Sequence, residues 1–102
     1  MFAVIYRSFV FPHKEDAYQK AWKTIASYFM KEKGALGSTL HKAEDGSWVA
    51  YSRWPSKALR DSSWSKEVCH PPEIQKAVDE LISCLDDVLP EICMDIVESL
   101  PS

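Results

Sequence analysis

Two side chains of this 102-residue sequence, Tyr6 and His70, are the candidates for catalysis. Tyr6 lies in an apolar run, from which its phenol could donate a proton or a hydrogen bond to the oxygen of a bound molecule. The plainer account is a core tyrosine with its hydroxyl satisfied at a sheet edge. His70 carries the one side chain that changes charge near neutral pH, which suits a general base or a heme ligand; the plainer account is a loop histidine ahead of Pro71-Pro72. Trp22, Trp54 and Trp64 are the candidates for substrate binding, because wide flat rings suit a planar ligand, although a plain core would hold Trp22 and Trp54 as readily. Trp64 stands between Ser63 and Ser65 in a polar connection, as a lid residue or as an anchor for the loop. His41, alone on a strand, reads as a structural hydrogen-bond partner. No Ser-His-Asp order, Gly-rich phosphate loop or paired-carboxylate motif is present. Cys69, Cys84 and Cys93 form no CxxC spacing and read as free thiols, so no metal site is expected.

Composition limits what these residues can serve. With 46% hydrophobic and 26% charged residues the chain is an ordinary globular sequence with room for one domain, residues 1–102. Twelve Lys and Arg against 15 Asp and Glu give a net charge of −3, which argues against nucleic acid as a partner. The apolar stretch from Phe2 to Tyr6 stops at Arg7, far short of the ~20 residues of a membrane span, and no basic segment precedes it as in a signal peptide. The expectation is a cytoplasmic protein with no membrane association.

The elements that must position the candidates follow from periodicity. Phe2 to Phe11 is rich in β-branched and aromatic residues on both alternating faces, which predicts a central strand covered on both sides. After Pro12 the period changes: Tyr18, Trp22, Ile25 and Phe29 share one face of a helix that starts near Lys14, carries Glu15 and Asp16 in its first turn and stops at Gly34. Leu36–Lys42 and Ser47–Trp54 flank an Asp45-Gly46 turn and predict a hairpin. Ser56 to Pro72 reads as a polar connection with a short helical turn over 57–62. Pro71-Pro72 open a second helix over Glu73–Asp87, and Ile92 to Leu100 is the expected last strand. Arg7 and Arg53, with Asp95 and Glu98, are expected to form an ion-pair cluster near a dimer interface.

The order strand, helix, strand, strand, helix, strand predicts an α+β, ferredoxin-like βαββαβ fold: a four-stranded antiparallel sheet with two helices on one face. Two helices cover one face only. The apolar character of the first strand on its other face therefore predicts a homodimer formed by sheet-to-sheet packing.

Several segments, taken in order, resemble a known family. Val4-Ile5-Tyr6-Arg7, Pro12-His13-Lys14-Glu15, Gly34-Ala35-Leu36-Gly37-Ser38 before Leu40-His41, Glu44-Asp45-Gly46, and Tyr51-Ser52-Arg53-Trp54-Pro55-Ser56 are similar to the antibiotic biosynthesis monooxygenase (ABM) family of dimeric α/β barrel proteins. The resemblance implies a pocket in each subunit between sheet and helices, and a planar aromatic or quinol-like substrate oxidised without a protein-bound cofactor. It leaves two alternatives: a non-catalytic dimer that binds a small hydrophobic molecule, and a heme-degrading monooxygenase. The heme-degrading branch pairs an Asn on the first strand with a Trp and a His after the third. Here Tyr6 stands at the Asn position, and Trp64 and His70 fall in the region of the other two.

Overall fold

The computed structural model describes residues 1–65 and 67–100. Its first strand, β1 (Phe2–Val10), is central because its residues satisfy both neighbours: it pairs antiparallel with β3 (Trp48–Trp54) on one side and with β4 (Leu85–Asp95) on the other. β2 (Gly37–Lys42) completes the sheet outside β3, in the order β2-β3-β1-β4. Pro12 ends β1 in a single 3₁₀ turn, and α1 (Glu15–Glu32) follows with Tyr18, Ala21, Ile25 and Phe29 buried along one stripe. Gly34 takes φ +84°, the left-handed conformation that closes a helix, and the amides of Lys33 and Ala35 both donate to the Phe29 carbonyl.

The β2–β3 hairpin turns through residues 43–47. Gly46 adopts φ +90°, and Asp45 Oδ1 accepts from the amide and hydroxyl of Ser47 at 2.8 and 2.6 Å, an Asx turn that fixes the bend. The short helical turn expected after Pro55 is α2 (Lys57–Ser63), capped by the Ser56 hydroxyl, which accepts from the Leu59 amide. α1 and α3 (Pro72–Ser83) pack on the same face of the sheet, where Phe2 and Val4 meet Ile25, Phe29 and Trp54, with Tyr6, Val78 and Leu81 alongside. This is the ferredoxin-like arrangement. At the other end, Val10, Tyr18, Trp48 and fully buried Cys84 form a second cluster.

The expected boundary between the last helix and strand is wrong. The helix ends at Ser83, not Asp87, and the strand covers 85–95, not 92–100. Buried Cys84 pins the junction: its carbonyl accepts from the Phe11 amide at 3.0 Å, and Leu85 then pairs with Val10. Asp86, Asp87 and Pro90, poor strand formers, are tolerated because β4 is an edge strand, and the pairing with β1 shifts register beside Pro90, which has no amide hydrogen to offer.

The expected ion-pair cluster is also absent. Among the described residues the ion pairs join Lys42 to Glu15, Lys57 to Asp61, and Arg60 to Asp61 and Glu91. Arg7 instead donates to the Pro90 carbonyl, Arg53 lies against Gly37, and β1 register puts Asp95 opposite Phe2, five residues from Arg7. The sheet face away from the helices carries Ile5, Phe9, Val49 and Tyr51, with Ile92 and Met94 exposed at 40% and 36%. No described element of the chain covers it.

Candidate functional site

The helices and the sheet enclose a cavity of about 550 Å³, within the range of small-molecule sites. Its volume comes from small residues on the sheet floor. Ser38, Ser52 and Ala50 on β2 and β3 and Ser8 on β1 line it where large side chains would fill it. Tyr18, Trp22, Ile25 and Phe29 of α1 and Val78 and Leu81 of α3 supply apolar walls. Four of the five sequence candidates, Tyr6, Trp22, Trp54 and Trp64, line this one space.

His70 does not line it. The imidazole packs behind the wall, edge-on to Tyr28, Phe29 and Trp64 at ring separations of 5.9, 5.5 and 5.8 Å, and its Nδ1 is buried with no partner among the described residues. A histidine placed so does not present a nitrogen to a heme in the cavity, and with Tyr6 in place of an asparagine the residues do not fit that group. Trp64 bridges the two environments. It stacks on Phe29 at 4.4 Å and 18°, faces the cavity and remains 39% exposed. Trp54, 2% exposed, meets Phe29 edge-on at 6.0 Å. His41 takes the structural role expected of it, sharing a hydrogen bond with the Thr39 hydroxyl at 2.8 Å.

Behind the polar end of the cavity, in contact with its lining residues Tyr6 and Glu91, stands a residue that sequence reasoning missed. Arg60, on α2, is 8% exposed, and its guanidinium grips Glu91 with two bonds, Nη1 to Oε2 at 3.3 Å and Nη2 to Oε1 at 3.1 Å. Nη1 also donates to the Tyr6 hydroxyl at 3.4 Å and Nη2 to Cys93 Sγ at 3.4 Å, while the guanidinium carbon sits 5.6 Å from the centre of the Phe2 ring. Burial opposes the charge on Arg60, but the bond to Glu91 and the proximity of Tyr6 outweigh it and raise its pKa. Glu91 is held below the ordinary carboxylate range, chiefly by the bond from Arg60.

Tyr6 responds in the opposite sense to burial. Desolvation pushes its pKa above the ordinary tyrosine value, and the Arg60 charge pulls only part of the way back. At neutral pH the phenol is therefore protonated. Because its oxygen accepts from Arg60, its own hydrogen is left to donate to a ligand. The only signal for Arg60 in the sequence is an arginine inside a short polar helix, which ordinarily reads as solvated; its partner Glu91 lies 31 residues away.

The described residues contain no cluster of His, Cys, Asp and Glu able to hold a metal ion, and no helix long and apolar enough to cross a membrane. Cys69 and Cys93 are exposed free thiols and Cys84 a buried one.

The chain belongs to the antibiotic biosynthesis monooxygenase family, whose profile matches residues 1–63. That stretch contains Tyr6, Trp22, Trp54 and Arg60; Trp64, α3 and β4 complete the cavity from outside it. The fold is similar to a crystal structure of an antibiotic biosynthesis monooxygenase, at 20% identity and TM-score 0.74, over 96% of this chain and 100% of that one. It is similar to SnoaB, a cofactor-independent oxygenase from Streptomyces nogalater, at 14% identity and TM-score 0.76, over 99% and 97% of the two chains. A protein from Mycobacterium tuberculosis shares it at 17% identity and TM-score 0.74, with 97% of each chain covered. At these identities the likeness establishes the fold and not the chemistry. No curated protein matches the chain in sequence.

Proposed function

We propose that the protein is a cytoplasmic, cofactor-independent monooxygenase that oxidises a planar aromatic or quinol-like molecule bound in this cavity. The observation that carries the reading is a largely apolar space of about 550 Å³ with a neutral phenol donor, Tyr6, at its polar end. In this scheme the substrate supplies the electrons. A ring carbon of an electron-rich phenol, once deprotonated, adds dioxygen; the O–O bond of the resulting peroxide breaks, one oxygen stays as a ring carbonyl and the other leaves as water. The apolar walls exclude bulk water, Trp22, Trp54 and Trp64 orient the ring system, and Tyr6 hydrogen-bonds the substrate oxygen that bears developing charge. A homodimer through the uncovered sheet face would bury Ile5, Phe9, Val49, Tyr51, Ile92 and Met94, and the apolar character of that face supports it. The chain as one 1–102 domain is part of the same reading.

The test is oxygen uptake by the purified protein with a panel of naphthols, naphthoquinols and anthrones, with product analysis by mass spectrometry. Substrate-dependent uptake that falls by at least tenfold in Tyr6→Phe supports the assignment; uptake unchanged in that variant removes Tyr6 from it. A second reading, ligand binding without turnover, is favoured by the absence of His70 from the cavity wall, where the titratable groups among the described residues are Tyr6, Arg7, Tyr18 and Glu91. Under that reading a bound ring compound is recovered chemically unchanged and no oxygen is consumed.

A further inference from the structure

Trp64, one wall of the cavity, follows directly on a short helix that itself stands outside the lining. α2 is seven residues long, too short to hold its shape without tertiary anchors. Three side chains tie it down. Leu59 packs on the main core cluster, Trp64 at its C-terminal end stacks on Phe29, and Arg60 reaches across to Glu91 of β4. Trp64 and Glu91 both line the cavity, and Trp64 and the Glu91 carboxylate also face solvent, with 39% of the tryptophan and 43% of the Glu91 side chain exposed. The bond from Arg60 to Glu91 therefore runs along the boundary between the cavity and water. The same guanidinium nitrogen that bonds Glu91 Oε2 also bonds the Tyr6 hydroxyl.

We infer that Trp64, mounted on α2, is a lid over the cavity and that the Arg60–Glu91 pair is its latch, so that closing the lid and seating the Tyr6 hydroxyl are one event. The inference rests on the reading of the cavity as a binding site. A bidentate pair with a buried guanidinium and a half-exposed carboxylate suits a latch. It is strong enough to favour the closed position and weak enough, because water competes for Glu91, to open without unfolding the sheet. Opening withdraws Arg60 from Tyr6, which leaves the phenol without its positioning partner until the lid shuts again. Arg60 is in this sense a positioning residue: it acts through Tyr6.

The test measures rates, because a latch changes how fast a ligand enters and leaves more than how tightly it binds. Stopped-flow fluorescence with 1-naphthol as the probe is run on the wild-type chain, Glu91→Gln, Arg60→Gln and Arg60→Lys, with Lys42→Gln as a control that breaks a surface ion pair elsewhere. In parallel, the chain labelled with 5-fluorotryptophan gives four ¹⁹F lines, and Trp64→Phe identifies that of Trp64. The expected result is a rise of about fivefold in both association and dissociation rates in Glu91→Gln and Arg60→Gln, with Kd changed less than twofold, an intermediate rise in Arg60→Lys and none in Lys42→Gln. The Trp64 line shifts in the latch variants while those of Trp22, Trp48 and Trp54 hold. Unchanged rates, an equal rise in Lys42→Gln, or four fluorine lines moving together overturns the latch. If 1-naphthol does not bind the wild-type chain, the cavity reading fails by that measurement alone, and the Trp64 line in Glu91→Gln still decides the lid: a selective shift sustains it and no shift overturns it.

Discussion

Replacing Trp54 with phenylalanine sets two effects of similar size against each other. Trp54 is 2% exposed and packs edge-on to Phe29 in the main core, so a smaller ring gives up buried area and leaves a void. By comparison with Ile→Val at the low end and Phe→Ala at the high end, that loss is about 1–2 kcal/mol. Against it stands the indole Nε1–H, buried and without a partner among the described residues. An unsatisfied buried donor costs roughly 1–3 kcal/mol, and phenylalanine has no such donor to bury. The two nearly cancel, and Trp54→Phe is expected to unfold within about 1 kcal/mol of wild type. Trp54→Ala, which removes the ring altogether, is expected to lose about 3–5 kcal/mol, a large share of the stability of a chain this size. Urea unfolding followed by far-ultraviolet circular dichroism measures both, with the slope checked so that a change in midpoint can be read as a change in stability. A loss above about 3 kcal/mol in Trp54→Phe would refute the reasoning, because it would mean the indole N–H contributes a bond that this packing does not contain.

Three further outcomes follow from the same geometry. Gly46 stands at φ +90°, where a Cβ is strained although space around it is open, so Gly46→Ala should cost about 1 kcal/mol in the same urea assay. Tyr6 and Tyr18 have pKa values raised by burial, so their contribution to stability is complete below the unfolded value near 10 and is lost as pH climbs through their higher folded values; the difference in phenolate absorbance between wild type and Tyr6→Phe should rise only above that pH. Glu91 is shifted the other way, so what its bond to Arg60 contributes is present above the ordinary glutamate range and fades as acid protonates it in the folded state; acid unfolding should begin at higher pH in wild type than the Glu91→Gln variant shows relative to its own plateau.

How much of this could be read from sequence depends on how local the information was. β1, α1 and the β2–β3 hairpin were legible because each carries its own signals: β-branched composition, a 3.6-residue stripe from Tyr18 to Phe29, and Asp45-Gly46 between alternating runs. The end of α3 was not, because Leu85 continues the helical stripe of Leu81 and Ile82, and only the pairing of Leu85 with Val10 reassigns it to a strand. The acidic pair Asp86-Asp87 and Pro90 argue locally against a strand, and the edge position that permits them is a property of the sheet. In the site, the tryptophans and Tyr6 stood out by type, and parity along β1 put Tyr6 on the same face as Val4. His70 was drawn in by its chemistry and left out by packing, since Tyr28, Phe29 and Trp64 stand around its ring. Arg60 was invisible for the reverse reason. Its importance lies in Glu91, Tyr6 and Cys93, none of which is near it in sequence.

The irregular pairing beside Pro90 bears on how the protein avoids uncontrolled association. A sheet with free edges can grow by accepting strands from other molecules, the first step towards fibrils. On the β4 side the ladder to β1 is bulged at two places, one of them beside Pro90, and Asp86 and Asp87 put negative charge along the rim. An incoming strand would meet an irregular, bulged edge and repulsion within a few residues of one another. Growth in the plane of the sheet is thereby discouraged along this border, while the flat apolar face formed by Ile5, Phe9, Val49 and Tyr51 stays open to a partner that approaches broadside.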